Sequence, residues 1–84
     1  MTREEMAELN EELMFLEPEY FDKAIVGVVA NMCTNAVCYD RSKIIEILME
    51  EDGMTEEEAL EYFDFNIMGS WVGKYTPVYL ETSL

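Results

Sequence analysis

The sequence predicts an α+β fold: an N-terminal helix, an antiparallel β-hairpin, two further helices and a short C-terminal edge strand. Three observations carry this. Two Thr-x-x-Glu boxes, Thr2/Glu5 and Thr55/Glu58, stand in front of apolar stripes and mark helix starts. A β-branched run, Ala24 to Ala30, is followed after a five-residue gap by a second short apolar run, Ala36 to Tyr39. After Gly69 the helical period is lost, and Thr76-Pro77 precedes Val78-Tyr79-Leu80.

Helix one is expected over residues 3–16. Met6, Leu9, Leu13 and Leu16 recur at helical spacing, and Glu4, Glu5, Glu8, Glu11 and Glu12 fall on the other face. Glu17-Pro18 ends it, because the residue before Pro avoids helical dihedrals. The run Ala24–Ala30 reads as a strand that is apolar on both faces, hence central and covered. Asp40 is a helix N-cap. Ile44, Ile45, Ile47, Leu48 and Met49 then occupy more than half a helical circumference, which predicts a deeply packed helix. Gly53 supplies the left-handed residue that ends it. The third helix is expected over 56–68, with Ala59, Leu60, Phe63 and Ile67 inside, Tyr62 at the edge, and Met54 and Ala59 placed as a hydrophobic staple.

Eighty-four residues form a single domain. Residues 1–17 are either an appendage for dimerisation or partner contact, or a helix folded back on its own hairpin. Five Lys plus Arg stand against nineteen Asp plus Glu, with no His, for a net charge of −14. Arg3, Lys23, Arg41, Lys43 and Lys74 cannot form the basic face that phosphates require, so direct nucleic-acid binding is excluded. Docking on an anionic membrane is excluded likewise. No apolar run approaches the ~18–20 residues of a membrane span, and the acidic N-terminus lacks a signal core. The expected location is cytoplasmic. Half the residues are apolar and ten are aromatic, so the chain is no acidic disordered tail. A core this small is nonetheless marginal, and self-repulsion lowers its stability further.

From Tyr39 onward the chain resembles a family. Tyr39-Asp40-Arg41, the stretch IIEILMEEDG (44–53), the stretch MTEEEALEYFDFN (54–66) and Gly69-Ser70-Trp71-Val72-Gly73 with Thr76-Pro77 are similar to small, acidic, largely uncharacterised proteins of tailed phages, prophages and microbial metagenomes. The likeness covers about residues 24–80, and Gly-x-Trp-Val-Gly…Thr-Pro is its most specific part. It implies a compact α/β domain in a phage-infected or prophage-bearing bacterial or archaeal host. It transfers no catalytic residue.

The chemistry-bearing residues point away from catalysis. Nine acids between 46 and 64 (Glu46, Glu50, Glu51, Asp52, Glu56, Glu57, Glu58, Glu61, Asp64) lie among no bases. Most fall on outer helix faces or in first turns, where they favour the helix dipole. Asp52-Gly53 does not make an EF-hand, since Leu48 would take the first ligand position. Cys33 and Cys38 have a spacing that matches no common zinc pattern, and no other Cys or His completes a set; two free, partly buried thiols are expected, with a single disulfide across a tight hairpin as the alternative. Without His, neither these thiols nor Ser42 nor Ser70 has an imidazole base. No catalytic residue, metal site or cofactor is expected.

Partner-binding residues are another matter. On an α-helical wheel, Phe15 projects onto the face of Glu4, Glu8 and Glu11, and Phe65 beside Glu58 and Glu61; Glu12 and Asp64 count with them as candidate partner-contact residues. A large apolar group rimmed by charge is how an interface anchor looks. The bland alternative has Phe65 packing on Trp71 or Tyr75. Trp71, Tyr75 and Tyr79 either line a partner groove or cap the core, with Lys74 placed for a cation–π contact. The expected role is non-enzymatic: stoichiometric binding of a protein with a basic patch, with an anti-defence inhibitor or DNA mimic as its specific form. The alternative is a small oligomeric assembly protein that binds a second copy of itself.

Overall fold

The computed structural model describes residues 2–30, 35–68 and 75–81. Helix α1 covers Arg3–Leu9, and a 3-10 segment covers Glu19–Ala24. Strands β1 (Ile25–Ala30) and β2 (Asn35–Asp40) form the hairpin. Helices α2 (Arg41–Glu51) and α3 (Glu56–Tyr62) follow; a π-helical segment, Phe63–Met68, prolongs α3, and β3 is Val78–Leu80. The fold is α+β, as expected from the order of elements.

Local signals account for most boundaries. The Thr2 hydroxyl accepts from the Glu5 N–H, and the Glu5 carboxylate accepts from the Thr2 N–H at 2.9 Å. Thr55 and Glu58 repeat this box. Asp40 accepts from the Ser42 and Lys43 N–H groups. Gly53 has φ of 67°, the left-handed geometry that only glycine adopts without strain.

Helix one is shorter than its apolar stripe suggests. It ends at Leu9, and Asn10 turns to extended dihedrals. The Asn10 side-chain oxygen accepts from the Glu12 N–H at 2.9 Å, and its carbonyl accepts from the Leu13 N–H. This local Asn bonding competes with helix continuation. Leu13 still reaches the core, but Leu9 is left 68% exposed. Met6 is wholly buried, so α1 folds onto its own domain.

The sheet order is β1-β2-β3. β2 is therefore central, with Ala36, Val37, Cys38 and Tyr39 all buried. β1, expected to be central, is an edge strand with Val26 and Val29 exposed. The reason lies in β3, which returns through α2 and α3 to pair with β2 in parallel, setting Tyr39 opposite Tyr79. A bulge between Ile25 and Gly27 shifts the β1–β2 register.

The core lies on one face of the sheet. Val37 and Tyr39 meet Ile44, Ile47 and Leu48 of α2, Ala59 of α3, Phe63 and Ile67 of the π-helical segment, and Met6, Leu13, Phe21 and Ala24 of the N-terminal part. Met54 packs on this core from its edge, as a staple to Ala59 would. Met49, expected inside, is partly exposed at the rim of α2.

Candidate functional site

Phe65 is 80% exposed, more than any other large apolar residue among those described. Its place follows from the backbone. Phe63 and Ile67, four residues apart, turn into the core, and Phe65 between them turns out. The π-helical turn carries this pattern past the end of α3; such turns are uncommon and often accompany functional positions. Phe65 shares a shallow hollow of about 360 Å³ with Met54, Glu58, Glu61, Tyr62 and Asn66. The expected grouping of Phe65 with Glu58 and Glu61 is thus present. Among the described residues, neither Lys nor Arg lines the hollow.

Asp64 faces elsewhere. Its carboxylate is 3.9 Å from the Arg41 guanidinium, which also binds Glu81 at 3.0 Å and lies 5.1 Å from the centre of the Phe63 ring. This cluster clamps the segment after β3 to the starts of α2 and of the π-helical segment.

Phe15 does not sit on an acidic outer face. The helix that would have placed it there stops at Leu9, and Phe15 packs half-buried against the core. The Arg3 guanidinium lies over its ring at 4.9 Å. Arg3 also donates to both Asp22 oxygens (2.9 and 2.7 Å), to Glu17 (3.0 Å) and to the Leu16 carbonyl (3.1 Å). The ionised guanidinium is held firmly by these partners, with the hydrogen bond to Asp22 the largest influence. Glu8, on α1, and Glu11 and Glu12, in the turn after it, are exposed, and none of them lines the hollow beside Phe65.

A second hollow, of about 280 Å³ and half-open, lies beside Phe15. Met14, Phe15, Leu16, Glu17, Asn66, Ile67, Pro77 and Tyr79 line it. Asn66 belongs to both hollows, so they meet at that residue. Met14, Glu17, Asn66 and Pro77 were not among the expected partner-contact residues. They come from three separate stretches of chain, and only the fold brings them together.

Tyr75 and Tyr79 pack against the core, in keeping with a capping role. The Tyr79 ring meets Phe63 edge-on at 5.0 Å. Burial pushes the Tyr79 phenol up to about 12, with the neighbouring Tyr39 adding to the effect. Trp71, Lys74, Ser70 and Cys33 lie outside the described residues. Cys38 is free and buried; burial, then the Asp40 charge, raises its thiol pKa and keeps it a protonated core residue.

Among the described residues no three His, Cys, Asp or Glu side chains converge as a metal site, and no helix is long and apolar enough to cross a membrane. Comparison with known protein families, curated proteins and solved structures finds no match. The geometry therefore stands alone: an exposed aromatic among carboxylates, next to an apolar hollow.

Proposed function

We propose that this chain is a non-enzymatic, phage-type accessory protein that works by stoichiometric binding of another protein. The observation that carries this reading is the exposure of Phe65 beside Glu58 and Glu61. The acidic surface steers a basic patch into contact, and the aromatic supplies the desolvated contact at the centre. Among the described residues, Arg3, Arg41 and Lys43 are engaged with other acids: Asp22, Glu17, Glu81, Asp64 and Glu46. Basic patches are characteristic of enzymes that handle nucleic acid. Inhibition of a host nucleic-acid or defence enzyme, by mimicry of the nucleic-acid charge, is the specific form of this reading.

Affinity capture from a bacterial host lysate tests it, with wild type and Phe65→Ala compared at low and high salt. A partner retained by wild type at low salt, and lost in either the variant or high salt, is the expected result. Retention indifferent to both removes the reading.

A second reading, a small oligomeric assembly protein, is favoured by β1. That strand is uncharged and at the sheet edge, with Val26 and Val29 exposed. Such an edge is a template for pairing with another copy. Light scattering at low protein concentration separates the two readings, since a strict monomer counts against assembly.

A further inference from the structure

We infer that the two hollows meeting at Asn66 form one docking groove, and that its occupant is a basic amphipathic segment of the partner protein. The partner's apolar side chain fills the hollow between Phe15 and Tyr79, while its Lys or Arg side chains lie against Glu17, Glu58 and Glu61. This rests on the protein-binding reading above and states which chemistry the partner presents.

The floor and the rim differ in kind. Met14, Phe15, Ile67, Pro77 and Tyr79 give the first hollow an apolar floor, and Met54, Tyr62 and Phe65 extend apolar surface into the second. Among the described residues, every charged side chain lining either hollow is a carboxylate: Glu17 in one, Glu58 and Glu61 in the other. Glu17 shares Arg3, but that guanidinium is already held by both Asp22 oxygens. Glu58 accepts from the Thr55 N–H through one carboxylate oxygen. An acidic peptide is repelled by this rim, and an uncharged one leaves it uncompensated. A segment with both an apolar face and cations satisfies floor and rim together.

Size decides between a side chain and a small organic ligand. At about 280 Å³ and half-open, the first hollow lies just under the usual range of pockets that enclose most of a ligand's surface. It suits one large side chain that is anchored elsewhere, and Phe65 provides the neighbouring anchor. Met14 and Met54 give each hollow an adaptable thioether wall. Asn66, exposed where the hollows join, offers an amide donor and acceptor to the backbone of the segment.

The probe is a synthetic helical peptide of Leu and Lys, with Leu at i, i+3, i+4 and i+7. Its control is a scrambled isomer of equal composition and charge that has no apolar stripe. Calorimetry and amide chemical shifts are recorded on the full chain. The amphipathic peptide is expected to bind one to one, at least about tenfold more tightly than the isomer, with shifts centred on Asn66, Phe65 and Tyr79. Phe65→Ala and, independently, Asn66→Trp should each weaken it about tenfold or more. Val29→Thr, on the opposite face of the sheet, should leave it unchanged. Equal binding of both peptides, with shifts spread over the acidic helices, overturns the groove while the acidic-surface reading survives. Binding of neither peptide overturns the groove, and lysate capture indifferent to salt and to Phe65→Ala separately overturns the reading it rests on.

Discussion

The buried hydroxyl of Tyr39 accepts a hydrogen bond from the backbone N–H of Leu16 at 2.8 Å. The central strand thereby holds the connection between α1 and the 3-10 segment. The carbonyl of the same Leu16 accepts from Arg3, so both polar groups of one loop residue are fixed. Phe15, Leu16 and Glu17 line the first hollow, and its shape depends on this fastening.

Tyr39→Phe should therefore act at a distance from the strand. It leaves the Leu16 N–H without its partner, and such a loss costs about 1 to 2 kcal/mol. Urea unfolding should show this loss. Hydrogen exchange should show the Leu16 amide deprotected more than the amides of α2.

Arg3→Lys should prove a poor replacement. An ammonium cannot reproduce the two-pronged contact with Asp22 while also reaching Glu17 and the Leu16 carbonyl. The guanidinium is largely enclosed, so the expected cost is about 1 to 3 kcal/mol. Thermal unfolding of Arg3→Lys against wild type checks it.

Alkali should unfold the protein over a defined window. Burial raises both Tyr39 and Tyr79 to about 12 from an ordinary value of 10.0. For Tyr39 burial outweighs the Leu16 N–H, which favours the phenolate. The unfolded chain then releases these protons first. Their contribution is complete below the unfolded value and is lost as pH rises through the folded one. Each accounts for roughly 2 kcal/mol at most, lost between about pH 10 and 12. Unfolding followed across that range, with Tyr79→Phe as control, should show a shallower decline in the variant.

Phe63 and Phe65, two residues apart, should respond oppositely. Phe63 is wholly buried, and Phe63→Ala should cost about 3 to 5 kcal/mol. Phe65→Ala removes no core contact and should stay within about 0.5 kcal/mol of wild type. Denaturant titration of the two variants makes the comparison.

The contrast between local and distant determinants explains how far the residues could be read. The boxes at Thr2/Glu5 and Thr55/Glu58, the Asp40 cap and the Gly53 stop rest on side chains bonding to nearby backbone, so sequence spacing suffices. Phe65 was legible for the same reason, because a helical wheel already sets it apart from Phe63 and Ile67. Asn10 carried a readable warning: a residue that bonds its own backbone can end a helix despite a continuing Leu stripe. β1 and β2 are both apolar, and only the return of β3 decides which is central. The Phe15 hollow was beyond reach, since Met14, Asn66 and Pro77 meet only through tertiary packing.

The most direct measurement is a paired one on Phe65→Ala, reading unfolding free energy and partner capture from the same preparation. The expected result is unchanged stability, with retention by the variant lost at low salt. Unchanged retention, or a loss of binding that merely follows a loss of stability, would contradict it.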